Sequence, residues 1–203
     1  MKDLLMDLDV LLKEYNTSYY KQIGKPTEKS EIVGLLEENG LYLCDEFIEL
    51  YLWHGWVDRE IIYNDRYVEL CSFGCLVDLK SAFAWFIEDK KTEKYLDGKL
   101  PIVECIDGSY LAVDLQKDSL TKGYIYACNP SITLTDKLVT TFDSIPLFVQ
   151  SVLECYKQGV YVSANGKLDI DFDKEYEIFK RLNPNSIYWL DDIEKLTILE
   201  EME

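Results

Sequence analysis

Residues 100–115 read LPIVECIDGSYLAVDL and carry the clearest structural signal in the chain. Two alternating runs flank Asp107-Gly108, a dipeptide that tolerates the positive φ angles of a tight turn. We therefore predict two antiparallel strands joined at this turn. The segments GYIYAC at 123–128 and SITLTDKLVTTF at 131–142 extend the hairpin into a meander of antiparallel strands.

Helical periodicity surrounds this hairpin on both sides. Apolar residues recur at helical spacing within segments 3–15, 27–39, 44–54, 78–91, 143–159 and 173–183. Thr27, Asp78 and either Asp143 or Ser144 are predicted to cap three of these helices, because short polar side chains bond to free N–H groups. The tail at 189–203 is predicted to be a short helix or a frayed end.

Strand-like segments account for most of the remaining chain. They are EIIYN at 60–64, RYVELCSFGCLV at 66–77 and a short hairpin around Asn165-Gly166. The order of elements predicts an α+β fold in which helices flank an antiparallel-rich twisted sheet. We divide the chain into an N-terminal helical extension at 1–26, a single α+β domain at 27–162, and a C-terminal extension at 163–203.

The chain is strongly acidic, with 21 Lys and Arg residues against 38 Asp and Glu residues and a formal net charge of −17. Such a surface repels phosphate backbones and anionic lipid, so we expect neither nucleic-acid nor membrane binding. It would instead speed the encounter with a cationic partner. A simple contribution to solubility explains the same charge equally well.

The six cysteines are scattered without a CxxC pair, and the chain has one histidine. We therefore expect free, buried thiols, no metal site and no cofactor. The first fifteen residues mix acids with apolar residues, unlike a signal peptide, and no apolar run is long enough to span a bilayer. These features together predict that the protein is located in the cytoplasm, where thiols stay reduced.

The sole histidine, His54, lies in LYLWHGW at 50–56 and is the only candidate base for Ser-His-Asp or Cys-His catalysis. Its spacing from Phe47, Leu50 and Tyr51 places it on the apolar face of a helix that Gly55 ends. No phosphate loop, dinucleotide fingerprint, GxSxG or HExxH motif is present. The sequence therefore predicts a protein that is not an enzyme, although clustered acids in a deep pocket stay open as an alternative.

Three segments resemble the SUKH superfamily, which includes yeast cell-wall assembly regulators and many bacterial immunity proteins. The first, at 31–56, has Ile32, Leu36 and Glu37 in a helix and Trp53-His54-Gly55 after the next one. The second is the hairpin region at 100–130, and the third is the closing helix at 141–161. The resemblance covers roughly residues 28–161. Two features of the family are absent: its Leu-Pro turn between the two helices reads Leu43-Cys44 here, and the Asn that precedes its glycine is replaced by His54.

The resemblance implies a non-catalytic protein-binding module, above all an immunity protein that blocks a cognate toxin domain, often a nuclease. A cationic nuclease would suit the acidic surface. The alternative is an intracellular regulatory scaffold like the yeast members. Neither the identity of the partner nor the oligomeric state follows from the sequence.

The segment after the third helix offers the best candidate interface. Trp56, Asp58, Glu60 and Tyr63 combine aromatic anchors with acids, and protein interfaces favour aromatics while a basic partner favours acids. The competing interpretation is that Trp56 and Tyr63 belong to the core, where aromatic side chains supply much of the buried area.

Overall fold

The computed structural model describes residues 1–64, 68–92, 98–128, 138–164 and 167–190. Its fold is α+β, as the sequence predicts, with a mixed six-stranded sheet and a separate two-stranded hairpin. The large sheet consists of β1 (Trp56–Val57), β2 (Cys75–Val77), β3 (Leu100–Glu104), β4 (Tyr110–Val113), β5 (Ile125–Cys128) and β6 (Val139–Phe142), and the hairpin of β7 (Tyr161–Ala164) and β8 (Lys167–Ile170).

Along the chain, helices come both before and after the central hairpin of β3 and β4. They are α1 (Lys2–Tyr15), α2 (Thr17–Gln22), α3 (Lys29–Glu38), α4 (Asp45–Leu52), α5 (Arg59–Asn64), α6 (Leu79–Thr92), α7 (Ile145–Lys157), α8 (Phe172–Leu182) and a 3-10 helix (Ile187–Trp189). In the part of the chain that the structure describes, none of these helices has the length and apolarity needed to cross a membrane.

The strands of the large sheet follow one another in sequence order. Strand β1 pairs in parallel with β2, whereas every later neighbour is antiparallel. In the predicted hairpin Glu104 lies opposite Tyr110, and Gly108 in the turn has a φ of 84°. The antiparallel-rich sheet that the DG turn predicts is therefore confirmed.

Helix α7 is the central covering helix and begins as its sequence predicts. The Ser144 hydroxyl accepts a hydrogen bond from Leu147 N at 3.2 Å, and Pro146 occupies the first turn. The apolar face of the helix is fully buried and consists of Ile145, Phe148, Val149, Val152 and Tyr156. The buried face of α1, formed by Leu5, Leu8 and Leu12, packs against α7. Burial of aliphatic side chains on this scale is the main force that holds such layers together.

The segment after α2 covers the edge of the sheet. Ile23 forms a single antiparallel bridge to Val57 on β1, and Gly24 N donates to Trp56 O at 2.8 Å. A Cβ atom at Gly24 would lie 2.4 Å from the Trp56 indole, so only glycine allows this approach. The division of the chain at 1–26, 27–162 and 163–203 stays a prediction.

Three local predictions are wrong. EIIYN forms helix α5 and not a strand, because Asp58 caps its first turn and burial of Ile62 overrides the β preference of isoleucine. Thr27 is not a helix cap, since α3 begins after Glu28. Helix α4 ends at Leu52, so His54 lies beyond its last turn and not on its apolar face.

Of the strand-like segment at 66–77, the structure describes residues 68–77, and within these only Cys75–Val77 form a strand. Residues 68–74 lead into it through a tight turn, in which Cys71 and Gly74 form an isolated bridge. Strands β7 and β8 confirm the predicted C-terminal hairpin. Residues 65–67, the Asn165-Gly166 turn, 129–137 and 191–203 lie outside the described residues.

Candidate functional site

Helix α5 carries two of the four predicted interface residues, and a third caps it. Asp58 accepts a hydrogen bond from Glu60 N at 2.8 Å, which satisfies an otherwise free N–H group of the first turn. The side chains of Asp58 and Glu60 are exposed, and Tyr63 is 47% exposed. The structure thus presents two acids and one aromatic ring together on a six-residue helix.

Beneath this helix lies Glu104, a carboxylate at the end of β3 whose side chain has no solvent exposure. The Tyr63 hydroxyl donates to its Oε1 at 2.5 Å. Arg59 Nε donates to the same oxygen at 3.3 Å and lies 3.2 Å from Oε2. The Nε–H points toward Oε1, and Oε2 accepts no hydrogen bond from any described residue. Two side chains of α5 therefore hold one buried acid.

The Arg59 guanidinium also lies between aromatic rings. Its central carbon is 4.5 Å from the centroid of Trp85 on α6 and 5.5 Å from that of Tyr63. Trp85 in turn contacts the Tyr110 ring at a centroid distance of 5.0 Å. Such cation–π contacts fix the plane of the guanidinium, so its position is determined by the sheet and by α6.

The surroundings of Arg59 and Tyr63 raise the pKa of each side chain. Burial acts to lower the pKa of Arg59, but the Tyr63 hydrogen bond and the charge of Glu104 outweigh it and hold that pKa above its ordinary value. Burial and the neighbouring Glu104 raise the pKa of Tyr63. These shifts keep the Arg59 guanidinium charged and the Tyr63 hydroxyl protonated near neutral pH.

Trp56 lies apart from this cluster in its packing. Its indole contacts Gly24 in the segment before α3, and its Nε1 is buried without a hydrogen-bond partner among the described residues. The Tyr63 hydroxyl, by contrast, donates a hydrogen bond to Glu104 on strand β3. The four predicted residues are therefore not one cluster, since only Asp58, Glu60 and Tyr63 share α5 and its cap.

The predicted site omits the residues that fasten it, namely Arg59, Trp85 and Glu104. One sequence signal could have found Glu104, because it ends the otherwise apolar run LPIV in a strand that the DG turn predicts. A buried acid needs a donor, and Arg59 and Tyr63 are spaced by four residues, which places them on one face of a helix. Interpreting 60–64 as a strand concealed that spacing.

His54, the only candidate for a catalytic base, contacts α1 instead. Its Nε2 is 2.7 Å from Asp9 Oδ1, an ion-pair distance without the alignment of a hydrogen bond. Its ring makes edge contacts with Tyr20 and Trp53. Lys13 bonds to the other Asp9 oxygen at 2.6 Å. The imidazole therefore links the chain after α4 to α1.

The cysteine thiols are free, and only Cys105 among them is less than fully buried. Burial raises the pKa of Cys44 to about 11 and that of Cys155 to about 12, which suppresses the reactive thiolate. Over residues 1–64, 68–92, 98–128, 138–164 and 167–190, no group of three or more His, Cys, Asp or Glu side chains could hold a metal ion.

No known family model matches the chain, and no curated protein matches it.

Proposed function

We propose that this chain is a non-catalytic protein-binding module that neutralises a cationic toxin domain by direct contact, as immunity proteins of the SUKH superfamily do. The observation that carries the proposal is helix α5, which presents Asp58, Glu60 and Tyr63 outward while Glu104 holds it from below. The resemblance of residues 28–161 to that superfamily adds independent support.

The fixed position of α5 favours binding because a rigid surface loses little conformational entropy when a partner docks. An isolated helix of six residues would not be stable in water. Here Arg59 and Tyr63 fasten it to a buried carboxylate, so its exposed side chains keep one arrangement. Aromatic residues on a rigid base are the usual anchors of protein interfaces.

The charge of the chain suits the proposed partner. A formal net charge of −17 would raise the rate of encounter with a basic domain, and it would oppose binding to nucleic acid or anionic lipid. Positive charge helps a toxin domain to bind nucleic acid, because the phosphate backbone is anionic. We place this encounter in the cytoplasm, where the free thiols of the chain would stay reduced.

Coexpression with the toxic C-terminal domain encoded by the adjacent reading frame tests the proposal. We expect the intact chain to restore growth and to copurify with that domain. Tyr63→Ala and Glu60→Lys should weaken both results, whereas Glu177→Lys on α8 reverses another exposed acid and should not. Continued killing without copurification would contradict the proposal. Stable binding to a cytosolic protein without protection would favour the regulatory scaffold instead.

A further inference from the structure

A second surface stands out where α3 meets α4, and its backbone is rigid. Gly40 has a φ of 70°, its N–H bonds to Glu37 O at 3.0 Å, and Leu41 N bonds to Leu36 O at 2.9 Å. This pair of bonds is the Schellman arrangement that ends many helices. Tyr42 N donates to Leu115 O at 2.8 Å and so ties the loop to the end of β4.

The loop turns two apolar side chains outward between two buried ones. Leu41 and Cys44 are each 4% exposed, whereas Tyr42 is 44% exposed and Leu43 40% exposed. Lys122 from the loop between β4 and β5 lies over the Tyr42 ring at 5.4 Å. The folded chain therefore keeps adjacent apolar side chains in water on a backbone that cannot easily withdraw them.

Four exposed acids flank this pair, and we call the whole set the α3–α4 corner: Glu37, Glu38, Tyr42, Leu43, Asp45 and Glu46. None of the four acids forms an ion pair with a described residue. Glu46 accepts only a thiol hydrogen bond, from Cys44 at 3.2 Å. Some exposed acids elsewhere do form ion pairs with described residues, as Asp7 does with Lys157, Asp171 with Lys174 and Glu31 with Lys80.

Helix stability explains only two of the four acids, which together form the acidic rim of the corner. Asp45 and Glu46 lie in the first turn of α4, where negative charge favours the helix dipole. Glu37 and Glu38 lie at the opposite end of α3, where negative charge is unfavourable and no basic residue offsets it. A surface that keeps unpaired acids against the local helix dipole, beside exposed apolar groups, is better explained by a partner.

We propose that the α3–α4 corner is a docking surface for a cationic protein segment, with an apolar side chain of the segment against Tyr42 and Leu43 and its basic residues against the acidic rim. This inference rests on the proposed function for the class of partner, and it adds a contact separate from α5. The charge is complementary, and an apolar centre within a charged rim is the usual anatomy of a protein interface.

A synthetic amphipathic peptide of lysine and leucine is a suitable probe of the corner. We expect its titration into the ¹⁵N-labelled full chain to shift amide resonances mainly within residues 37–46. Added salt should weaken the binding, because exposed charges are screened. Shifts centred elsewhere, or spread evenly over the acidic surface, would overturn the inference.

Variants of the corner sharpen this test. Leu43→Ser and the double change Glu37→Lys/Glu38→Lys should each weaken peptide binding by about fivefold or more, as loss of an interface anchor does. Val10→Ser is the matched apolar control, since Val10 is 60% exposed on α1, and Glu177→Lys is the acidic control. Equal weakening by the controls would overturn the inference.

The peptide titration separates this inference from the proposed function. If the peptide binds at 37–46 but the coexpressed toxin domain still kills, the toxin proposal fails and the corner stands. If the toxin domain is neutralised but the corner variants bind and protect like the unchanged protein, the corner fails and the toxin proposal stands.

Discussion

Tyr63 donates a 2.5 Å hydrogen bond to Glu104, so a half-exposed ring on the surface is joined to a carboxylate with no solvent exposure. Arg59 reaches the same carboxylate from one turn earlier in α5. A buried acid needs such partners because water is not available to solvate it. The outward face of α5 is therefore held in place by a charge pair at its base.

Arg59→Ala should lower the free energy of unfolding by about 3 kcal/mol, because it leaves a buried carboxylate without its cation. The double variant Arg59→Ala/Glu104→Gln should recover part of that loss, since the remaining group is neutral. Urea unfolding of the parent, both single variants and the double variant measures the coupling between the two residues. Strictly additive losses would show that the pair is not coupled.

The sequence predicts an element of this fold well when residues adjacent in the chain determine that element. The DG turn and the Ser144 cap of α7 are local, and the structure confirms the hairpin and the helix that they predict. Helix α5 is not predictable in this way. Its segment has β-branched residues, and its stability comes from Glu104, which is 41 residues from Tyr63 along the chain.

The candidate site shows the same limit. The pattern of acids and aromatics groups Asp58, Glu60 and Tyr63, and these residues do lie on one short helix and its cap. The sequence does not show that Trp56 packs on Gly24, since that contact depends on a segment 32 residues earlier reaching the sheet edge. The placement of His54 opposite Asp9 likewise depends on how α1 packs against α7.

Gly74→Ala should destabilise the protein far more than Gly108→Ala does. Both glycines have positive φ angles, 108° and 84°, so alanine is strained at either position. A Cβ atom at Gly108 meets nothing within 4 Å, and we expect a loss of about 1–2 kcal/mol there. At Gly74 it would lie 2.1 Å from Glu104 O and would push β3 away.

We expect that displacement to cost more than about 4 kcal/mol, in the range seen when a packed backbone must move. Thermal unfolding followed by circular dichroism compares the two variants directly. Similar melting temperatures for both would contradict the close approach of Gly74 to β3.

His54→Gln should cost less than about 1 kcal/mol, because a partly exposed contact between two polar side chains contributes little to stability. The side chain of His54 is 30% exposed and faces Asp9. Protection in the coexpression test should be unchanged, since the imidazole contacts α1 and not α5. Asp9→Asn is the matched control for the same pair. Loss of protection by His54→Gln with an unchanged melting temperature would show a direct role in function.

Glu175 on α8 is another buried acid, and its surroundings give a pH dependence of stability. The Tyr161 hydroxyl donates to Glu175 Oε1. Burial raises the pKa of Glu175 above its ordinary value of 4.5, although hydrogen bonds from Tyr161 and Ser72 oppose the shift. Cys71, Cys155, Tyr161 and Tyr188 also face it, and the pKa of each is raised, so they stay neutral as Glu175 titrates.

Glu175→Gln should therefore become more stable than the parent protein as the pH rises. The folded state binds the Glu175 proton more tightly than the unfolded state, so this residue favours folding below pH 4.5 and loses that contribution as the pH climbs through the raised pKa. Urea unfolding at several pH values should show a gap between variant and parent that widens upward from pH 4.5. Glu177→Gln, an exposed control on the same helix, should follow the parent, and a gap independent of pH for Glu175→Gln would contradict the prediction.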